Sequence, residues 1–147
     1  MNKKVRKAVR TFLINDNNIV VTKYNTKINL DFYDIPGGKI EENETSEQAS
    51  IREFKEETGI TIISQKMIGH AIIEYPERIF DFDIFIVEKF EGDPLNFEEN
   101  DSMWMSIDEL LSKDKKIPSV EIVKYLDNNI KLKINSDDNH NILSIEK

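Results

Sequence analysis

Apolar and polar positions along the chain follow two rhythms. Residues 5–14 are rich in β-branched and apolar side chains and stop at Asn15-Asp16-Asn17-Asn18, which reads as a strand followed by a turn. Ile19-Val20-Val21-Thr22 resumes the pattern as its hairpin partner. Residues 31–35 make a short strand stopped by Pro36-Gly37-Gly38. Two long strands are predicted at 60–75 and 79–88, the second alternating through Phe80, Phe82, Ile84 and Ile86. Residues 102–105 add a shorter one. A helix starts near Thr45, because Thr45 and Gln48 have the spacing at which two side chains satisfy each other's free backbone N–H groups. Gly59 is placed to end it. Ser106 and Glu109 offer a second such box before Leu110-Leu111. Residues 118–126 read as the last helix, with Val120, Val123, Tyr125 and Leu126 partly on one face. Residues 131–135 and 141–145 alternate around Ser-Asp-Asp-Asn-His-Asn, the pattern of a terminal hairpin. Strands interleaved with a few helices imply an α/β fold whose mixed sheet is covered on its faces. The expected division is one domain over 1–130 and a tail over 131–147.

Composition narrows this picture. The chain has 147 residues, 39% hydrophobic and 33% charged, the profile of one soluble globular domain. It has no cysteine, which removes disulfides, thiolate metal sites and a cysteine nucleophile. No apolar h-region follows the basic start and no run is long enough to span a bilayer, so the expected location is the cytoplasm. The net charge of -8 argues against binding a nucleic-acid duplex by charge. It leaves a phosphate substrate open, since arranged carboxylates can collect divalent cations that invert the local field.

Such an arrangement lies on the first helix. Glu53, Glu56 and Glu57 fall within an arc of about 100°, with Ile51 and Phe54 on the other side. Taken alone, E-x-x-E-E is usually a solvated acidic face. The surroundings change that weighting. Gly38 is followed after five residues by Glu44, after seven more by Arg52-Glu53, and then by Phe54, Lys55, Glu56, Glu57, Thr58, Gly59 and Ile60. This resembles the Nudix box, G-x5-E-x7-R-E-U-x-E-E-x-G-U with U apolar, and every defined position is filled. Glu74-Tyr75-Pro76-Glu77-Arg78, the stretch from Val87 to Pro94, and Trp104-Met105-Ser106 are similar to MutT-type nucleoside triphosphate pyrophosphohydrolases. The likeness covers roughly residues 4–126.

The resemblance implies an α/β/α sandwich with a mixed β-sheet and a loop–helix–loop catalytic motif. It implies hydrolysis of a diphosphate linkage in a nucleoside triphosphate, with 8-oxo-dGTP as a candidate, using Mg²⁺ or Mn²⁺ as substitute. Glu53, Glu56 and Glu57 would bind the metal, helped by the Gly37 or Gly38 carbonyl. Arg52 would hold a box carboxylate in place, and Glu44 would steady the loop. Glu98 matches a loop acid that completes the metal site or acts as base; Glu99 is one residue away, and Glu53 is the other candidate base. Lys23, Lys39 and Arg78 are candidate phosphate contacts. Ser119 stands where MutT-type proteins place a base-reading asparagine, and one hydroxyl cannot make an amide's two-point contact. A modest preference for 8-oxo-dGTP over dGTP is therefore expected. The partner is a small nucleotide, with no duplex and no membrane; the oligomeric state is not specified. His70 and His140 are read as packing or surface residues, and Trp104 and Phe97 as core or loop packing. Hydrolysis of ADP-ribose, a dinucleoside polyphosphate or capped RNA is the alternative within enzymes. A non-catalytic Nudix-fold sensor is the alternative outside them, opposed by the complete box.

Overall fold

The computed structural model describes residues 3–24, 33–97, 100–113, 118–126, 130–136 and 141–145. In chain order the elements are β1 (Lys4–Phe12), β2 (Ile14–Asn15), β3 (Asn18–Tyr24), β4 (Tyr33–Asp34), β5 (Gly37–Lys39), α1 (Ser46–Thr58), β6 (Thr61–Glu74), β7 (Arg78–Glu91), β8 (Asn100–Ser106), α2 (Ile107–Ser112), α3 (Pro118–Glu121), a 3-10 turn (Ile122–Tyr125), β9 (Ile130–Ser136) and β10 (Asn141–Ile145). The first sheet runs in the order β10-β9-β6-β7-β1-β5. It is mixed, because β1 lies parallel to β7 and β9 parallel to β6, whereas the other pairs are antiparallel. The second sheet centres on β3, with β8 along one edge and β2 and β4 on the other.

The stretch expected as one strand over 5–14 divides at Leu13. Its first part sits between β7 and β5. Both its edges are thereby occupied, so residues 19–22 cannot pair with it. The expected hairpin shrinks to Ile14↔Ile19 and Asn15↔Asn18, and the rest of β3 pairs with β8. Asp16 and Asn17 both take positive φ (49° and 64°), the conformation that two-residue hairpin turns need. Of the strand expected at 31–35, Tyr33–Asp34 is formed, and residues 31 and 32 lie outside the described residues. The expected last helix is one turn of α-helix that tightens into 3-10 geometry at Ile122.

α1 forms where its capping signals place it. Thr45 Oγ1 accepts from Gln48 N–H at 3.1 Å, and Gln48 Oε1 accepts from Thr45 N–H at 2.9 Å. Gly59 ends the helix at φ 81°, its N–H donating to Lys55 O. Ser106 caps α2 through the Glu109 N–H, one half of the expected box.

Alternate residues of β1 serve two cores. Ala8 and Phe12 join Ile19, Val21, Phe82, Ile84, Leu110, Val120 and Ile122, between the sheets and the later helices. Val9 packs with Ala49 and Phe85 under α1, and Leu13, Val20, Phe54, Ile60 and Ile62 extend that side. A buried relay pins the helix to the first sheet: Thr11 Oγ1 and Ser50 Oγ are 2.7 Å apart, and Ser50 donates to Gln65 Oε1 at 2.7 Å. The terminal hairpin forms, and β9 pairs with Gly69–Glu74 of β6. Opposite β7, β6 carries three register shifts, all between Ile62 and Gly69. Among the described residues no helix is long and apolar enough to cross a membrane.

Candidate active site

Two helical turns and one tight strand bring the box residues together. β5 packs against the C-terminal half of α1, so Gly37 and Gly38 face the side chains of Glu57 and Glu53. Gly37 N–H donates to Glu57 Oε2 at 2.9 Å. A Cβ on Gly38 would lie 2.5–2.7 Å from the Glu53 carboxylate atoms, closer than side chains pack, so only glycine allows this approach. A Cβ on Gly37 would lie 2.0 Å from Val9 O and 2.6 Å from Arg10 Nη1.

Arg52 organises the carboxylates. Its Nε and Nη2 donate to the two oxygens of Glu44 at 2.6 and 2.9 Å, the forked geometry that guanidinium suits. Nη1 donates to Glu53 at 2.8 Å and to Glu56 at 3.2 Å, and Nη2 also reaches Lys39 O at 3.1 Å. The fork to Glu44 holds that carboxyl at a pKa of about 2 and raises the arginine's own. Burial pushes Glu53 up, against the pull of Arg52. Burial pushes Glu57 further, to about 7, against the Gly37 N–H and the Arg10 charge.

Ionising buried carboxylates beside one another is costly, and a hard cation relieves that cost. Glu53, Glu56 and Glu57 present the oxygen donors that Mg²⁺ takes, and Gly38 lets the backbone meet Glu53 closely, so the donor chemistry fits such an ion. The three do not converge on one point here. Among the described residues, the group that brings one ligand atom from each member within 4.8 Å is His70, Asp81 and Asp83. The partners of the three glutamates differ: Arg52 engages Glu53 and Glu56, whereas the Gly37 N–H engages Glu57.

The C-terminal end of α1 is tied to the loop before β8. Asn100 Nδ2 donates to Glu57 O at 2.9 Å, Leu95 N–H to Thr58 O at 2.9 Å, and Phe97 N–H to Asn100 O at 2.8 Å. Glu98 and Glu99 lie between these anchors but outside the described residues, as does His140. Among the candidate phosphate contacts, Lys23 Nζ stands 5.6 Å from the centre of the Tyr33 ring, with Lys113 Nζ at 4.9 Å. Arg78 lies over Tyr75 and Phe80. Lys39 is exposed, and its carbonyl accepts from Arg52. Ser119 is 1% exposed and gives its hydroxyl to Asp34 Oδ1, so it positions Asp34. His70 is exposed and pairs with Asp83 at 2.7 Å. Trp104 packs on Phe90 beneath α1.

Two residues here escape a reading by motif. Arg10 stacks on Phe82 at 4.5 Å and faces Asp34 at 3.6 Å, across two strands of different sheets. The available signal was the alternation Ala8-Arg10-Phe12, which places a cation on a buried face.

The NUDIX domain family model matches residues 4–126. The 8-oxo-dGTP diphosphatase of Escherichia coli (strain K12) is 35% identical over 106 residues, 71% of this chain and 82% of that protein. A MutT structure reported for Aliivibrio salmonicida and Vibrio cholerae aligns with a TM-score of 0.66 at 29% identity, covering 83% of this chain and 96% of the other. The MutT protein of Bacillus halodurans shares the fold, with a TM-score of 0.81 at 18% identity over 96% of this chain and 97% of its own.

Proposed function

The chain belongs to the NUDIX family and is a Nudix pyrophosphohydrolase, and from that premise we propose that it hydrolyses nucleoside triphosphates, 8-oxo-dGTP among them, to a nucleoside monophosphate and pyrophosphate. The observation that carries this reading is the carboxylate face of α1, with Glu57 bonded to Gly37 and Glu53 to Arg52. Glu53, Glu56 and Glu57, with the Gly37 or Gly38 carbonyl, would hold Mg²⁺, for which Mn²⁺ can substitute. When bound, that ion supplies neutralisation of the phosphate charge and a lowered pKa for the attacking water.

The chain's own residues do the rest. Arg52 holds Glu53 beside the loop while Glu44 holds Arg52, which would limit how far the carboxylate must move to meet the ion. Glu53 or Glu98 takes the proton from water. Lys23, Lys39 and Arg78 contact the phosphate oxygens and orient the scissile link. Ser119 acts through Asp34, without an amide to read an oxidised base. The preference for 8-oxo-dGTP over dGTP then stays within about a hundredfold. The proposed location is the cytoplasm, where the nucleotide pool is.

The test is a Mg²⁺-dependent hydrolysis screen over dGTP, 8-oxo-dGTP, dATP, ADP-ribose, a diadenosine polyphosphate and capped RNA. Triphosphates should lead in kcat/KM, with pyrophosphate as product. Turnover of ADP-ribose or the capped RNA with none of any triphosphate would overturn the substrate assignment.

A further inference from the structure

The proposed hydrolysis leaves one buried cation unused. Arg10 is 16% exposed in its side chain. Nη1 donates to Val9 O at 3.1 Å, and the guanidinium lies on the Phe82 ring. Nε is buried and has no hydrogen-bond partner among the described residues. Facing it, Asp34 is 10% exposed in its side chain. Oδ1 accepts from the Ile35 N–H at 2.7 Å and from the Ser119 hydroxyl. Oδ2 faces Arg10 Nη2 at 3.6 Å, beyond direct hydrogen-bond range.

This is a poor ion pair if its purpose is stability. Two charges taken out of water repay their desolvation only when closely and fully hydrogen-bonded. Here a donor and an acceptor are held side by side but apart. Ser119 and the Ile35 N–H fix the carboxylate, and Phe82 fixes the guanidinium plane. The neighbouring side chains are aromatic. Phe80 stacks on Phe82 at 5.6 Å, Tyr75 meets Phe80 edge-on at 5.8 Å, and Arg78 lies over both Tyr75 and Phe80. The position suits a nucleotide. Arg10 abuts Gly37, whose N–H bonds Glu57, so the pair stands beside the carboxylates proposed to meet the phosphates.

We propose that Arg10 and Asp34 together read the nucleobase, Arg10 donating to a carbonyl oxygen of the base and Asp34 Oδ2 accepting from the adjoining ring N–H. A 6-oxopurine presents that order: O6 accepts, and N1–H, or N7–H in the 8-oxo form, donates. A 6-aminopurine seated the same way presents the reverse, an amino donor beside a ring-nitrogen acceptor, and can pair both protein groups only by shifting one position along its edge, away from the seat of the 6-oxopurine. Arg10 is thereby a specificity-determining residue. The inference rests on the nucleotide reading above and deepens it.

The experiment measures equilibrium binding of the product monophosphates dGMP and dAMP to the full chain with Mg²⁺, alongside kcat/KM for dGTP and dATP. Wild type should bind dGMP roughly 10–100-fold more tightly than dAMP, the range for one charge-assisted hydrogen bond. Arg10→Met should bring that ratio to within about threefold, and Asp34→Asn should lower it. If Arg10→Met does not fold, Arg10→Lys keeps the charge but loses the planar fork, and should lower the ratio too. Equal weakening of both monophosphates, with the ratio unchanged, would show a structural arginine and overturn the proposal. So would a wild type that prefers neither base or binds neither monophosphate at millimolar concentration. Absence of turnover on every triphosphate refutes the substrate reading, while the binding ratio still decides the role of Arg10.

Discussion

Gly37 and Gly38 are neighbours in sequence with opposite vulnerabilities, and alanine at each separates the fold from the site. Neither has a left-handed φ, so the constraint at both is space. At Gly38 the new methyl group meets the Glu53 carboxylate at 2.5 Å, against an ordinary contact of 3.4–4 Å. That carboxylate is the far end of a flexible side chain, so it moves, and a displacement of about 1 Å in a reacting group costs on the order of a hundredfold in rate. At Gly37 the methyl meets Val9 O at 2.0 Å, within the β1–β5 pair where Gly37 opposes Arg10. Backbone cannot swing aside, and overpacking of this kind costs about 3 kcal/mol. For a chain of this size that lowers Tm by roughly 6–12 °C. Circular dichroism melts and pyrophosphate release at saturating Mg²⁺ give the two readouts. Gly38→Ala should keep its Tm within a few degrees and lose about a hundredfold in kcat; Gly37→Ala should lose Tm. Turnover within threefold of wild type for Gly38→Ala would refute the argument, as would an unchanged Tm for Gly37→Ala.

Glu57→Gln keeps an oxygen for the Gly37 N–H but removes a buried charge, so kcat should fall at least about a hundredfold with no loss of Tm. Near wild-type kcat would remove Glu57 from the metal set. Glu44 is held at about 2 against an ordinary 4.5, so its contribution to stability is present above about pH 4.5 and is lost as pH falls toward 2. The Tm gap between wild type and Glu44→Gln should therefore be open at pH 7 and close across that window; a gap constant with pH would contradict the Arg52 fork. Phe54 is 0% exposed beneath α1, and Phe54→Ala should cost about 3–5 kcal/mol in urea unfolding. A loss below 1 kcal/mol would mean the site collapses freely.

Local features were legible in the sequence, and distant partnerships were not. Thr45, Gln48 and Gly59 mark α1 because capping is settled within one turn of chain. The box spacing brings Arg52, Glu53 and Glu44 together because a helix and its preceding loop fix their separation. The break at Leu13 depends on which strands flank β1, and no window around Leu13 contains β7 or β5. The position of Ser119 after the late helix suggests contact with the base, while its hydroxyl is bound to an aspartate 85 positions away. Arg10 and Asp34 belong to no motif, since their meeting is made by two sheets packing.

The irregular half of β6 has a bearing on solubility. An open strand edge is a template on which another chain can add a strand. Here β9 covers the regular stretch Gly69–Glu74, the part best suited to such templating, and hands the border of the sheet to the five-residue β10. The stretch of β6 beyond that cover is the one with the register shifts, and it carries exposed Ile63 and Met67. Bulges bend and twist an edge so that a straight incoming strand cannot stay in step with it. β6 is therefore guarded twice, by a hairpin where it is straight and by its own irregularity where it is sticky.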